Sequence, residues 1–264
     1  MTSTNLVRTS RRHPVPDGEL TYEPGERHVR GVVGDITVVD SLRPVLVWEP
    51  ESPVPLYAFP REDVRTDLLT ETTAPARPGA HAGYDLVVDG GTRPAAAWSY
   101  GAGDLDGLIA FDWFRRREPG IDHWYEEDEE IYVHPRDPYK RVDPIRSSRH
   151  VTVSINGVPV ADTRRPILLY ETRLPTRYYI PPEDVDFSQL APTDLQTRCP
   201  YKGIARYWSL PGDTAVENIA WGYPDPIPAA GSIKDHVAFY NEFVDITVDG
   251  KPEERPVTIF SSRR

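Results

Sequence analysis

The chain has 264 residues, 39% of them apolar, enough for two cores of ~100–150 residues each and too many for general disorder. Its 41 Asp and Glu against 30 Lys and Arg leave a net charge of −11, which repels phosphate backbones and anionic lipid and argues against nucleic-acid and membrane partners. The single cysteine allows neither an internal disulfide nor a multi-cysteine zinc site, and no metal or cofactor is expected.

In chain order, residues 1–27 open with the polar stretch MTSTNLVRTSRRHPVPDG and read as an extended arm. No signal-peptide apolar core and no apolar run near ~18 residues stands out, so a cytoplasmic location is expected. At His28 the segment HVRGVVGDITVVDSLRPVLVWE begins, and it returns without a gap as HVTVSINGVPVADTRRPILLYE from His150. His28 aligns with His150, Asp40 with Asp162, Pro44 with Pro166 and Glu49 with Glu171, each pair 122 positions apart (28 to 150). Further on, YAFPREDV answers YYIPPEDV, and AAWSY answers IAWGY, which pairs Trp98 with Trp221 and Tyr100 with Tyr223. A period this long marks two copies of one domain, at 28–122 and 150–264.

Each copy reads as mainly β. Asn156-Gly157 lies between alternating residues and predicts a two-residue hairpin, because both turn positions favour positive φ; Gly34-Asp35 takes that place in the first copy. PVLVWE and PILLYE are short apolar runs behind a proline and read as strands covered on both faces. PREDV and PPEDV predict one short helical turn each, with Leu68-Leu69 and Phe187–Leu190 packing inward. RYWSL and AVENIAW read as a strand pair around a Pro211-Gly212-Asp213 turn. Between the copies, 123–149 reads as an extended connector whose acids Glu126 to Glu130 form a solvated face. Its HPRDPY run reads as a clasp through Arg136 or Arg141, with a metal or acid–base role for His134 and Asp137 as the sharper alternative.

YYIPPEDV, TRCPYKG, ENIAWGYPDP and VAFY together resemble the bacterial domain-of-unknown-function 427 family, as a tandem pair over nearly the whole chain. The resemblance implies two small β-tent-like domains with short helical turns, a shape also seen in methionine sulfoxide reductase B and the ligand-binding domain of cereblon. The nucleotidyltransferase label sometimes attached to the family finds no phosphate-cradling Gly-rich loop here. The Cys-x-x-Cys zinc knuckles of some β-tent relatives are also missing from the sequence.

The second copy has the full TRCPYKG motif, whereas ETTAPARPGAHAG stands in its place in the first. A single pocket therefore belongs to the second copy. Tyr179, Tyr201, Trp208, Trp221 and Tyr223, with Tyr178 and Tyr207, are expected to line it or to fill a sheet core. Lys202, Glu217 and Asp184 are the candidate acid–base groups, and Cys199 the candidate nucleophile beside Lys202, with His236 as a possible base. The bland alternatives are a buried cysteine and a turn-fastening Asp184. Binding of, or catalysis on, a small organic molecule is the expectation, and a protein-interaction scaffold or a homodimer is the alternative.

Overall fold

The computed structural model describes residues 20–50, 52, 54–73, 80–101, 103–113, 120–212 and 217–262. The expected arm up to residue 19, residues 74–79 of the first copy's counterpart of the TRCPYKG motif, and Asp213 of the turn lie outside the described residues. The chain divides into two compact units, Met1–Tyr139 and Lys140–Arg264, each mainly β with short 3-10 turns.

The first unit runs β1 (Thr21–Pro24), β2 (Val29–Val33), β3 (Ile36–Ser41), β4 (Val45–Trp48), β5 (Leu56–Phe59), β6 (Leu69–Thr72), β7 (Ala82–Val88), β8 (Gly91–Ser99), β9 (Ile109–Phe111), β10 (His123–Glu126) and β11 (Glu129–Ile131). The second repeats it as β12 (Val142–Arg146), β13 (Val151–Ile155), β14 (Val158–Thr163), β15 (Ile167–Glu171), β16 (Arg177–Tyr179), β17 (Ala191–Cys199), β18 (Gly203–Ser209), β19 (Ala220–Gly222), β20 (Val237–Phe239), β21 (Asp245–Val248) and β22 (Lys251–Pro252). In the first unit one sheet has the order β1-β4-β5-β9-β8-β7-β6 and the other β11-β10-β2-β3. The second unit keeps both orders, with the longer sheet parted into β12-β15-β16 and β20-β19-β18-β17 and the gap bridged at Ile180–Val237. The stretch 123–149 is thus shared out: β10 and β11 complete the first unit, and β12 edges a sheet of the second.

Local chemistry explains the common parts. Asn156 and Gly157 have φ of 50° and 82°, the primed turn that the dipeptide favours, and β13 and β14 close around it. Both copies carry a bulge at one place in this hairpin, after Gly31 and after Val153. The proline-led turns are 3-10 turns at Arg61–Asp63 and Pro182–Asp184, each followed by a second. Leu68, Leu69 and Leu190 pack inward as expected. Phe187 does not: it is exposed and lies against Trp208, with ring centroids 5.9 Å apart. The turn leaves only part of its apolar residues facing the sheet.

The two cores fill one position differently. Gly31 faces Trp124 across β2 and β10, whereas the aligned Val153 faces Ile246 across β13 and β21. Trp124 is stacked between Phe59 and Trp113, at centroid distances of 5.7 and 4.3 Å. A Cβ on Gly31 would meet the Trp124 ring at 2.8 Å. Gly31→Ala is therefore expected to destabilise the first unit by about 1–3 kcal/mol through overpacking, in urea denaturation, and the double change Gly31→Val with Trp124→Ile to regain much of that loss. Equal destabilisation in the double variant would refute the volume exchange.

Candidate functional site

The TRCPYKG motif is the turn between β17 and β18. Cys199 ends β17 opposite Gly203, and the Lys202 amide donates to the Cys199 carbonyl at 3.3 Å. Gly203 has a φ of 102°, a conformation that side chains rarely adopt, and this sends the chain into β18 immediately after the lysine. The Lys202 carbonyl accepts the Ile227 amide at 3.2 Å, which pins the hairpin to the segment before the turn at Pro228–Ile233.

Lys202 is consequently buried, and its Nζ donates to Glu171 Oε2 at 2.5 Å. Glu171 ends β15 and is buried too, with Lys140 Nζ at 3.2 Å from its other oxygen. Burial alone would pull the Lys202 ammonium down, but Cys199, Glu171 and Tyr179 outweigh it and raise its pKa above the ordinary lysine value. Burial pushes the Glu171 carboxyl up, and the Lys202 and Lys140 charges more than reverse this and lower it. The site holds a buried carboxylate between two ammonium groups, with a half-buried thiol alongside.

Rings surround this pair. Tyr179, Tyr207, Trp221 and Tyr223 pack in one buried cluster with Cys199 at its margin. Trp221 Nε1 donates to the Tyr179 hydroxyl at 3.2 Å, and the two rings meet edge to face at 6.3 Å. Burial raises the pKa of Tyr179 and of Tyr223, which keeps both phenols protonated. Tyr207 is hydrogen-bonded to Thr197 at 2.7 Å. Tyr201, half-buried, sits at the hairpin tip. The structure therefore brings Cys199, Lys202, Tyr179, Trp221 and Tyr223 to one face of the sheet.

Other candidates fall elsewhere. Trp208 follows Tyr207 on β18, and strand alternation turns it to the opposite face, where it packs with Leu210 against the core of β13 and β21. Asp184 accepts from Thr163 Oγ1 at 2.6 Å and from Arg165, which lower its pKa in that order. The first unit repeats this arrangement as Ser41 to Asp63 at 2.8 Å with Arg43, so it fastens the 3-10 turn in both copies. Glu217 is exposed ahead of β19, and His236 Nδ1 is engaged with the Lys234 carbonyl at 2.8 Å. Tyr178 belongs to the other core with Trp208.

The acidic run departs from the solvated face expected for it at its first residue. Glu126 is buried, because β10 turns its side chain inward onto Arg27, Arg136 and Tyr57. Arg136 thus clasps carboxylates, those of Glu126 and Glu129. His134 Nδ1 lies 2.7 Å from the Pro135 carbonyl, while Asp137 accepts the Tyr139 amide at 2.8 Å and the Trp48 indole at 3.5 Å. Among the described residues no group of three or more His, Cys, Asp or Glu is placed to hold a metal ion.

Sequence reading missed a second buried pair. Arg177 is forked onto Glu242 at 2.6 and 2.7 Å and lies over the rings of Trp221, Tyr240 and Phe260. Glu171 was visible only as an aligned residue, since nothing in its own segment marks it as the partner of Lys202.

Two stretches, 21–119 and 143–250, match the family model described as "Domain of unknown function (DUF427)". The chain belongs to that family. It is a tandem member, and the match falls within the two structural units. No curated protein matches the chain. In this tandem member the two copies differ at the site: Glu49, aligned with Glu171, takes a hydrogen bond from the hydroxyl of Tyr100, the counterpart of Tyr223, at 2.8 Å. Among the described residues no helix is long and apolar enough to cross a membrane.

Proposed function

We propose that the second unit binds a small organic molecule at the Cys199–Lys202 hairpin, above the rings of Tyr179, Trp221 and Tyr223. The carrying observation is the buried Lys202–Glu171 pair beside the only thiol. Buried titratable groups with shifted pKa values concentrate at functional sites, and this cluster lies at the very turn where the copies diverge. In this reading Lys202 supplies the positive charge, Cys199 the contact nearest solvent and Tyr201 a half-buried wall. Catalysis at the same place would use Cys199 as nucleophile, with Lys202 stabilising the developing charge. Asp184 and Glu217 stand outside it.

The tight burial of the rings supports a second reading, a structural core whose surfaces serve protein contacts or a homodimer. Each unit also suits a β-tent shape, on the strength of its two sheet orders, and the acidic composition suits a cytoplasmic setting without nucleic-acid partners. A thermal-shift screen of a metabolite library separates the readings. A ligand well above its Kd should stabilise the wild type by roughly 2–4 kcal/mol. Its effect is expected to vanish in Tyr201→Ala and to weaken in Cys199→Ala. Failure of every compound to shift a well-folded sample favours the structural core.

A further inference from the structure

The first unit has a cleft of about 340 Å³ lined by Glu23, Arg27, Leu46, Tyr57, Arg136 and Tyr139 among other residues. Behind three of these residues the fully buried Glu126 carboxylate accepts from Arg27 Nη1 at 2.6 Å, Arg136 Nε at 2.8 Å, the Arg136 amide at 3.0 Å and the Tyr57 hydroxyl at 3.1 Å. A guanidinium has five N–H donors, and these contacts with Glu129 and the Arg136 carbonyl engage Nη1 of Arg27 and only Nε and Nη1 of Arg136. The two side chains are 40% and 22% exposed, so their remaining edges are accessible. Glu23 is buried, takes the Tyr139 hydroxyl on Oε2 at 2.6 Å and keeps its other oxygen for the cleft.

The second unit is an internal control. Glu126 lies opposite Val29 on β2, and the aligned Val151 lies opposite Val248. Glu23 lies opposite Leu46, and the aligned Leu168 lies opposite Ile145. The same fold therefore closes with the buried Val248 where the first unit has Glu126, while Ile145, in the place of Glu23, is exposed. A buried apolar residue in such a place is generally as stabilising as a buried ion cluster or more so, so the fold itself does not require the Glu126 charge.

We infer that this cleft is a binding site for a small amino-carboxylate, such as a free amino acid, with its carboxylate on Arg27 and Arg136 and its ammonium on Glu23. Arg27 and Arg136 share Glu126, and Arg136 also meets Glu129, yet each guanidinium lines the cleft with donors left over, and arginine suits a carboxylate through paired donors. Glu23 supplies the opposite charge. A plain anion would confront Glu23, and a plain cation the two arginines, whereas a zwitterion answers both. Leu46, Tyr57 and Tyr139 supply the apolar walls, and the volume is at the small end for ligand sites. Burial raises the pKa of Tyr57, which keeps it a neutral donor to Glu126.

Calorimetric titration of the full chain with the free L-amino acids, and with the deaminated acid and decarboxylated amine of each binder, tests this. An amino acid is expected to bind, and both truncated analogues to bind roughly tenfold or more weakly. Arg27→Gln and Arg136→Gln strip partners from buried Glu126 and can unfold the unit, so the deciding variant is Glu23→Gln, which keeps an acceptor for Tyr139. It should weaken the amino acid roughly tenfold and, by removing the charge that a plain anion confronts, strengthen the deaminated acid. The inference is overturned by a folded chain that binds no amino acid, by a deaminated acid that binds as well as its parent, or by binding indifferent to Glu23→Gln.

Discussion

Lys202→Met will destabilise the second unit by about 3 kcal/mol, as read by urea denaturation. Removing one partner of a buried pair leaves the other charge without compensation, and Glu171 has little water to fall back on. Lys140, at 3.2 Å from the other oxygen, keeps the cost at the low end of the usual range of about 3–5 kcal/mol. The double variant Lys202→Met with Glu171→Leu should recover most of the loss, because it removes the stranded charge as well. The pH dependence carries the same sign logic. Lys202 has its pKa raised, so its contribution is complete below the ordinary lysine value of 10.5 and fades as pH climbs through the raised one. Glu171 has its pKa lowered, so its contribution is complete above the ordinary 4.5 and fades as pH falls through the lowered one. The stability gap between wild type and Lys202→Met should therefore shrink as pH rises above 10.5, and shrink again in acid, starting above the ordinary 4.5 because burial raises the stranded Glu171 of the variant. A gap that grows above pH 10.5 would contradict the charged pair.

The duplication was legible because backbone demands write themselves locally. The Asn156-Gly157 turn, the prolines before the strands and the ungapped alignment from His28 to His150 each depend on neighbours in sequence. Strand alternation also foretells that Tyr207 and Trp208 face opposite ways, and applying it would have split the aromatic set into its two cores. What stayed hidden depends on partners far along the chain. Glu126 reads as one acid among five, and its burial is decided by Arg27, 99 residues before it, and by Tyr57. Lys202 finds Glu171 at a separation of 31 residues, across a sheet that no local pattern joins. The cleft in the first unit went unseen for the same reason, since it needs β1, β5 and the HPRDPY run to converge.

Arg177→Leu is expected to cost the second unit about 3–5 kcal/mol, more than Lys202→Met, since among the described residues Glu242 has no second cation in its place. Both side chains of the pair are nearly free of solvent, at 3% and 1% exposure. The aligned residue in the first copy, opposite the same stretch of sheet, is the buried Leu56, so leucine itself fits the fold and the loss comes from the stranded Glu242. Burial alone would raise the Glu242 carboxyl, but Arg177 and Thr258 more than reverse it and lower its pKa. Arg177→Lys should rescue little, because a lysine has no planar fork for Glu242 and no flat face for Trp221, Tyr240 and Phe260. The same contacts seat the end of the chain: Thr258 donates to Glu242 at 2.6 Å and Phe260 caps the guanidinium. Limited proteolysis should accordingly remove residues after 255 faster from Arg177→Leu than from wild type, before the rest of the unit is cut. Simultaneous loss of the tail and the core would mean that Arg177 acts on the whole unit, with no separate hold on the C-terminal segment.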